Sequence, residues 1–247
     1  MVETNEIIFN TQYINLENKD ITEWTNFFRS KAIDAKIFVE TTGSLNFKTK
    51  LSSSVIGNKW LSFSDLMPKV LCLLASKVDS NQARMRILQI AWEELGEGKV
   101  KHIHPETFKT CLQLADVEVY KTESLANTQL ENYAKGEFRS TPEIFGLGLG
   151  LEIIAVQNIE VVFDGLAHDQ IIAYNLMQTE FFKIHFQNEE GHIRHCVESF
   201  VKYCPDSASK SDFLKGFEHG LKFWKVFWSE VADELKSQNF QSIAWAN

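Results

Sequence analysis

The chain has few of the residues that cross-link small folds or interrupt helices. Its 247 residues include only four cysteines and four prolines. The cysteines, Cys72, Cys111, Cys196 and Cys204, form no C-x-x-C pair, which argues against a zinc knuckle and against a disulfide framework. Because prolines are so rare, long stretches of chain are free to form uninterrupted helices.

A basic surplus, a long apolar run and a signal-like N-terminus are also lacking. Lys and Arg number 25 against 33 Asp and Glu, a net charge of −8, so we expect neither a nucleic-acid partner nor a membrane partner. The longest apolar stretch, residues 144–156, is broken by glycines and one glutamate and is too short to span a bilayer. We expect a cytoplasmic protein.

What the sequence does contain is helical periodicity. The hydrophobic content of 44% can fill a sizeable core, and Asp20 with Glu23 forms a capping box at the first apolar stripe. No segment alternates like a strand. We predict an all-α fold of seven or more helices, with an N-terminal arm over 1–19 and a single helical domain over 20–247. Helices are predicted from Asp20 and then near 46–57, 64–78, 80–95, 105–116, 122–136, 142–166, 169–203 with an interruption, and 209–236.

Residues 181–196, wound as a helix, place three ligand-type side chains on one apolar face. At about 100° per residue, Glu189 lies roughly 40° and His192 roughly 20° from His185. Glu189 and His192 have the Glu-x-x-His spacing with which helical di-iron carboxylate proteins aim two ligands at one metal. His185, one turn earlier, could reach a second ion bridged by Glu189. The alternative is a solvated stretch or a hydrogen-bonded core histidine.

A second polar residue on an apolar face is Glu152, the only ionisable residue within 144–156. A carboxylate buried there must be protonated, paired or bound to metal. Just before it, Gly146, Gly148 and Gly150 each cost about 1 kcal/mol relative to alanine in a helix. Either a neighbouring helix packs closely on them, or the helix loosens locally to admit metal, oxygen or substrate.

The third site is the helix that ends near residue 95 and the loop after it. Glu94 aligns with the apolar face of this helix, whereas Glu93 aligns with polar residues and is predicted to point outward. Two glycines stop the helix, and His104 directly precedes Pro105, where the next helix would begin. A short loop could therefore bring His104 back beside Glu94. His102 is the competing candidate.

The charges of these residues favour a metal site. Glu94, Glu152 and Glu189 would put about three negative charges into one apolar region, which is untenable without protons or cations. Two divalent ions would leave it slightly cationic and able to accept a substrate carboxylate. We predict six metal ligands: Glu94, His104, Glu152, His185, Glu189 and His192. We expect the three glutamates among them to take part in catalysis as well.

The order of these motifs resembles the heme-oxygenase-like diiron oxidases and oxygenases, which are related to the TenA, pyrroloquinoline-quinone synthase C and chlamydial death-domain-associating (CADD) proteins. The pattern is Glu…His, a lone buried Glu, then His-x-x-x-Glu-x-x-His, and with the helix series it covers about residues 20–236. The matching residues are Glu94, Gly96, Gly98, His104, Glu152, His185, Glu189 and His192.

The resemblance implies a heme-oxygenase-like helical bundle that binds Fe(II), with two ions, while Mn(II) would suit the same ligands. It also implies that dioxygen is activated to oxidise a small organic substrate by N-oxygenation, oxidative decarboxylation or carbon–carbon cleavage. We expect a homodimer. The sequence leaves the substrate and the choice among these reactions open.

The sequence departs from the family's pattern in several places. Glu189 stands where many relatives have Asp, and the helix predicted over 64–78 has no counterpart of a further acidic ligand, so the second ion is expected to be weakly held or absent. Heme oxygenases take their axial histidine from the first helix, whereas no histidine precedes His102, which argues against heme. Leu151 stands where the chlamydial relatives have tyrosine.

Two other functions remain open. On the same fold, a cofactor-independent oxidase or a TenA-like hydrolase would use the glutamates and histidines as a polar pocket. A thiaminase-type reaction needs a nucleophilic thiol, and Cys196 lies on the ligand face, although a buried structural thiol is the more common role. The third function is a helical interaction module, which would need none of these residues.

Overall fold

The fold is helical throughout the part of the chain that the structure describes. A computed structural model describes residues 19–37, 49–136 and 140–244, without the side chains of 188, 189 and 238–244. These residues contain ten α-helices and no strand, which confirms the all-α prediction. The helices are α1 (Ile21–Asp34), α2 (Lys50–Ala75), α3 (Asn81–Glu94), α4 (His104–Leu114), α5 (Leu125–Lys135), α6 (Thr141–Glu152), α7 (Ala155–Leu166), α8 (Gln170–Gln178), α9 (Glu180–Tyr203) and α10 (Ser207–Ala244).

Local capping rules set several helix starts. Asp20 and Glu23 form the predicted reciprocal capping box of α1, and the Ser80 hydroxyl accepts from the backbone of the first turn of α3. Pro105 lies in the first turn of α4, where its missing N–H removes no hydrogen bond. The interruption predicted within 169–203 falls at Thr179, which caps α9. Most of the predicted N-terminal arm and the start of the helix predicted over 46–57 lie outside the described residues.

The prediction of separate helices over 46–57 and 64–78 is wrong, because α2 runs without interruption from Lys50 to Ala75. Ser64, at the predicted start of the second of these helices, is a buried residue inside α2. Pro68 also lies inside it, although an internal proline costs about 3 kcal/mol. α2 packs against α3, α4, α5, α7 and α10, so burial on several sides outweighs the local penalty.

The segment predicted as one helix over 142–166 is two helices, with a break at Ile153 and Ile154. The break places Glu152 at the end of α6. The Trp224 indole N–H donates to the Leu151 carbonyl at 2.9 Å, which satisfies one of the carbonyl groups that a helix end leaves free. Taken together, α6 and α7 have the length and composition of a membrane span, although 61% of their most apolar stretch is buried inside the fold.

Two of the three glycines near Glu152 allow α6 to cross α10 at backbone contact. A Cβ on Gly146 would lie 1.9 Å from the Phe213 carbonyl oxygen, and one on Gly150 would lie 2.3 Å from that of Phe217. A Cβ on Gly148 would meet only the Cys196 sulfur, at 3.9 Å. Close helix packing therefore explains Gly146 and Gly150. This contact also fixes the end of α6, and with it Glu152, against the long helix α10.

Candidate metal centre

Five of the six predicted ligands line one cavity of about 60 Å³. Glu94 comes from the end of α3, His104 from the start of α4 and Glu152 from the end of α6, while His185 and His192 come from α9. The sixth, Glu189, is on α9 between the two histidines, and its side chain lies outside the described ones. Four helices spread over residues 81–203 thus bring these ligand-type side chains together.

Glu94 and His104 are adjacent, with 3.0 Å between Glu94 Oε2 and His104 Nδ1. The loop between them turns back through three successive residues with positive φ, namely Gly96 at 68°, Glu97 at 52° and Gly98 at 80°. Both side chains are largely buried, with 19% of Glu94 and 12% of His104 exposed. The loop therefore places the two groups side by side in a region of limited solvent access.

His102 does not enter this cavity. It contacts Glu180 at the start of α9 and lines a larger, open cleft of about 700 Å³ outside. His104 and His192 line both the cleft and the inner cavity. These two histidines therefore form the boundary between the cavity and the outer cleft.

His185 is held in one orientation and one tautomer. Its Nδ1–H donates to the Phe181 carbonyl at 2.7 Å, so Nε2 keeps its lone pair. Its ring centroid lies 4.9 Å from that of His104. Burial and the neighbouring His104 lower the pKa of His185 to about 4. At neutral pH the ring is therefore uncharged, which is the form that binds a metal ion.

His192 lies between two carboxylates. Its Nδ1 is 3.7 Å from Glu152 Oε2, and its Nε2 is 3.6 Å from Glu93 Oε2. Glu94 lines the inner cavity and Glu93 does not, whereas Glu93 lies in the outer cleft and reaches His192 from there. Neighbouring residues of a helix are only about 100° apart, so the end of α3 presents Glu94 to the cavity and Glu93 to the cleft. The adjacent pair of glutamates was the sequence signal for this arrangement.

The electrostatics of the cavity favour an ionised Glu94. Burial by itself would raise the pKa of this carboxyl, but the nearby histidines, His104 foremost, outweigh the effect and lower it. Glu94 can therefore act as an anionic oxygen ligand near the neutral imidazole of His185. Mixed nitrogen and oxygen donors of this kind suit Fe(II) and Mn(II).

The donor residues are of the right chemical types for a metal ion, but the distances between their side chains are too long for all of them to hold one ion. Among the described side chains, no group of three or more His, Cys, Asp or Glu residues is close enough together to hold an ion as arranged. This statement does not include Glu189, whose side chain is outside the described ones. The contacts that the structure does show are pairwise, Glu94 with His104 and Glu152 with His192.

The wall opposite these ligands is apolar and aromatic. Trp60 and Phe63 of α2 line it together with Trp224 of α10. The two indoles stack at 5.7 Å between ring centroids, 13° from parallel. Ser64 and Asn158 are the buried uncharged polar residues in this lining. Sequence periodicity did not single out either residue.

Cys196 has the properties of a structural thiol. It is buried with 3% exposed, and burial together with the charge of Glu152 raises its pKa. It is not among the residues that line the cavity. A thiol in this environment stays protonated at neutral pH and is a poor nucleophile. The geometry therefore does not favour thiaminase-type chemistry.

Comparisons with known proteins agree with this architecture. The sequence profile of a family described as "iron-containing redox enzyme" matches residues 62–225, a range that contains all six predicted ligands. No curated protein matches the chain.

Among solved structures, the chain resembles a CADD-like protein of unknown function from Nostoc punctiforme, determined at 1.35 Å and 2.00 Å resolution. The TM-scores are 0.64 and 0.61 and the identities 16% and 17%. The alignments cover 88% and 87% of this chain and 95% and 96% of that protein. At this level of identity the likeness establishes a shared fold.

Proposed function

The chain belongs to the iron-containing redox enzyme family, and we propose that it is a non-heme diiron oxidase or oxygenase acting on a small organic substrate with dioxygen. The observation that carries the proposal is the convergence of histidine and glutamate donors on one buried cavity: Glu94, His104, Glu152, His185 and His192. We include Glu189 among the proposed ligands because of its position on α9.

The protein's own groups are prepared for this role. His185 is neutral at physiological pH, and its bond to Phe181 leaves Nε2 to ligate. Glu94 is held ionised. Glu93, at ion-pair distance from His192, would orient that ring, as carboxylates outside a ligand shell commonly do. Bound ferrous iron would supply the electrons that dioxygen needs in order to react.

The two cavities suit two parts of the reaction. One wall of the inner cavity is formed by the aromatic side chains of Trp60, Phe63 and Trp224, which would limit the access of water to the reacting groups. The outer cleft is more than ten times larger, at about 700 Å³ against 60 Å³. A substrate would enter through this cleft and pass between His104 and His192.

The proposal includes several finer points. Iron is the expected metal, with Mn(II) as an alternative, and the second ion is the weaker one because no acidic residue of α2 lines the cavity. We propose a cytoplasmic homodimer without a nucleic-acid or membrane partner. The reaction is N-oxygenation, oxidative decarboxylation or carbon–carbon cleavage.

Anaerobic reconstitution with Fe(II) tests the proposal. We expect between one and two iron ions per chain and a change in visible absorption when oxygen is admitted. Both should be lost in Glu152→Ala and His192→Ala and kept in His219→Ala, which replaces an exposed histidine of α10 outside the cavity. Substoichiometric iron without an oxygen-dependent change in absorption would refute the proposal and favour a metal-independent pocket.

A further inference from the structure

The inner cavity has a polar group on its wall that the proposed metal ligands do not use. Asn158 of α7 lines the cavity and is completely buried, with 0% exposed. Its Oδ1 accepts a hydrogen bond from the Trp228 indole N–H at 2.8 Å. Its Nδ2 has no hydrogen-bond partner among the described protein groups.

Trp228 determines which end of the amide is available. An indole N–H can only donate, so it requires the oxygen of Asn158 and not the nitrogen. Trp228 is itself fully buried and does not line the cavity. The amide is therefore held with its oxygen engaged away from the cavity, and its NH2 group remains as the end that can serve a ligand.

An unused buried donor of this kind is unusual. Most buried polar atoms in proteins have a partner, and a donor without one costs about 1–3 kcal/mol. A purely structural partner for Trp228 would need only an oxygen atom. The additional NH2 group is therefore available to a bound acceptor.

We infer that Asn158 Nδ2 donates to a neutral carbonyl oxygen of the ligand that fills this cavity, most simply that of a carboxamide. In the metal-free cavity a carboxylate is less suited, because Glu94 and Glu152 line it without a bound cation to offset their charge. Moreover, no described residue of its lining is Lys or Arg. A carboxamide meets both demands, since its oxygen accepts from Asn158 and its N–H groups can donate to a glutamate.

The size and the remaining wall of the cavity agree with this assignment. In the metal-free protein, a volume of about 60 Å³ is large enough for a ligand of a few non-hydrogen atoms, such as acetamide. Trp60, Phe63 and Trp224 offer apolar contact to the carbon part of the ligand. The inference rests on the proposed function in one respect, namely that this cavity receives the substrate.

The test uses the full-length chain, freed of metal by chelation because a bound ion could hold the probe directly. The protein is labelled with ¹⁵N at asparagine and titrated with acetamide, while the side-chain NH2 resonances are followed by NMR. The Asn158 signal is assigned by its loss in Asn158→Asp. We expect this signal to shift saturably at millimolar acetamide, and we expect acetate to bind at least about tenfold more weakly.

Variants separate the NH2 group from the rest of the site. Asn158→Asp keeps an oxygen for Trp228 and removes the donor, and Asn158→Leu removes both without adding charge. Each should weaken acetamide binding about tenfold, the effect of one lost hydrogen bond, as followed by saturation transfer to the acetamide methyl group. The matched control is Asn127→Leu. Asn127 is a buried asparagine that donates to Ser62 and does not line the cavity.

Several results would overturn the inference. They are an Asn158 signal that does not shift, unchanged acetamide binding in folded Asn158 variants, or tighter binding of acetate than of acetamide. None of these measurements requires iron or oxygen. Saturable acetamide binding without iron-dependent oxygen chemistry would refute the proposed function alone, and the reverse pattern would refute the Asn158 subsite alone.

Discussion

Glu94 Oε2 and His104 Nδ1 lie 3.0 Å apart, although Glu94 ends α3 and His104 begins α4 after a loop. The connection achieves this by reversing through the positive-φ residues 96–98. The position of His104 in the cavity therefore depends on backbone conformation that a side chain would disturb.

Replacing Gly96 by alanine should weaken metal binding without unfolding the protein. Its φ of 68° disfavours any Cβ, and the added atom would lie 2.5 Å from the His102 carbonyl carbon. We expect a stability loss of about 1–2 kcal/mol and Fe(II) binding weakened at least about tenfold as His104 moves away from Glu94. Anaerobic calorimetric titration measures the latter. Glu97→Gly, which relieves a positive φ of 52°, should leave binding intact; equal affinity in Gly96→Ala would contradict the prediction.

Removing His185 should reduce iron affinity more than removing a histidine elsewhere. Because Nε2 of His185 carries the lone pair and the residue lines the cavity, His185→Ala is expected to lose more than about tenfold in affinity. His168→Ala is the control variant. His168 follows the end of α7, contacts Ser53 of α2 and does not line the cavity. Metal content after equilibrium dialysis decides, and similar losses in both variants would argue against a ligand role for His185.

The crossing of α6 and α10 should tolerate no methyl group. Alanine in place of Gly216 would put a Cβ 1.9 Å from the Glu143 carbonyl oxygen, so we expect a loss of at least about 2 kcal/mol in the free energy of unfolding. Gly191→Ala is the control, because nothing lies within 4 Å of its Cβ position. That variant should gain up to about 1 kcal/mol from helix propensity. Urea denaturation measures both changes, and a stable Gly216→Ala protein would disprove the close crossing.

The metal-free protein should lose stability as the pH falls from about 6.5 to about 4. An unfolded histidine has a pKa of about 6.5, whereas that of His185 is about 4 in the fold. Between these values the unfolded chain binds the proton and the folded chain does not, so acid favours unfolding by up to about 3 kcal/mol. Urea denaturation at a series of pH values measures this loss.

His185→Gln serves as the reference for this pH dependence. His195 adds in the same direction because burial and the charge of Arg86 lower its pKa. The lowered pKa of Glu94 affects the free energy of unfolding only in more acid solution, below the ordinary glutamate pKa of 4.5. His185→Gln should therefore flatten the slope between pH 6.5 and 4.5 without abolishing it. An unchanged slope would show that His185 protonates freely in the folded state.

Local sequence rules were sufficient for much of the fold. The Asp20 and Glu23 capping box, the Ser80 cap and the proline at the start of α4 act through atoms a few residues apart. The helical period also places His185 and His192 on one face, because that relation depends only on the winding of α9. Rules of this range act in the same way whatever surrounds the helix.

Other features depend on contacts between distant segments. α2 continues through Pro68 because it is enclosed by neighbouring helices, and α6 ends at Glu152, where Trp224 donates to Leu151. Glu93 reaches His192 only because α3 lies beside α9 in this orientation. Asn158 becomes a directed donor only because Trp228, far along the chain, occupies its oxygen. The sequence alone therefore identifies ligand-type residues by the helical face on which they lie. The distances between them, and which of their hydrogen-bonding atoms stay free, are decided by how the helices pack. The reason is that the energies of burial and pairing depend on the neighbours that packing supplies.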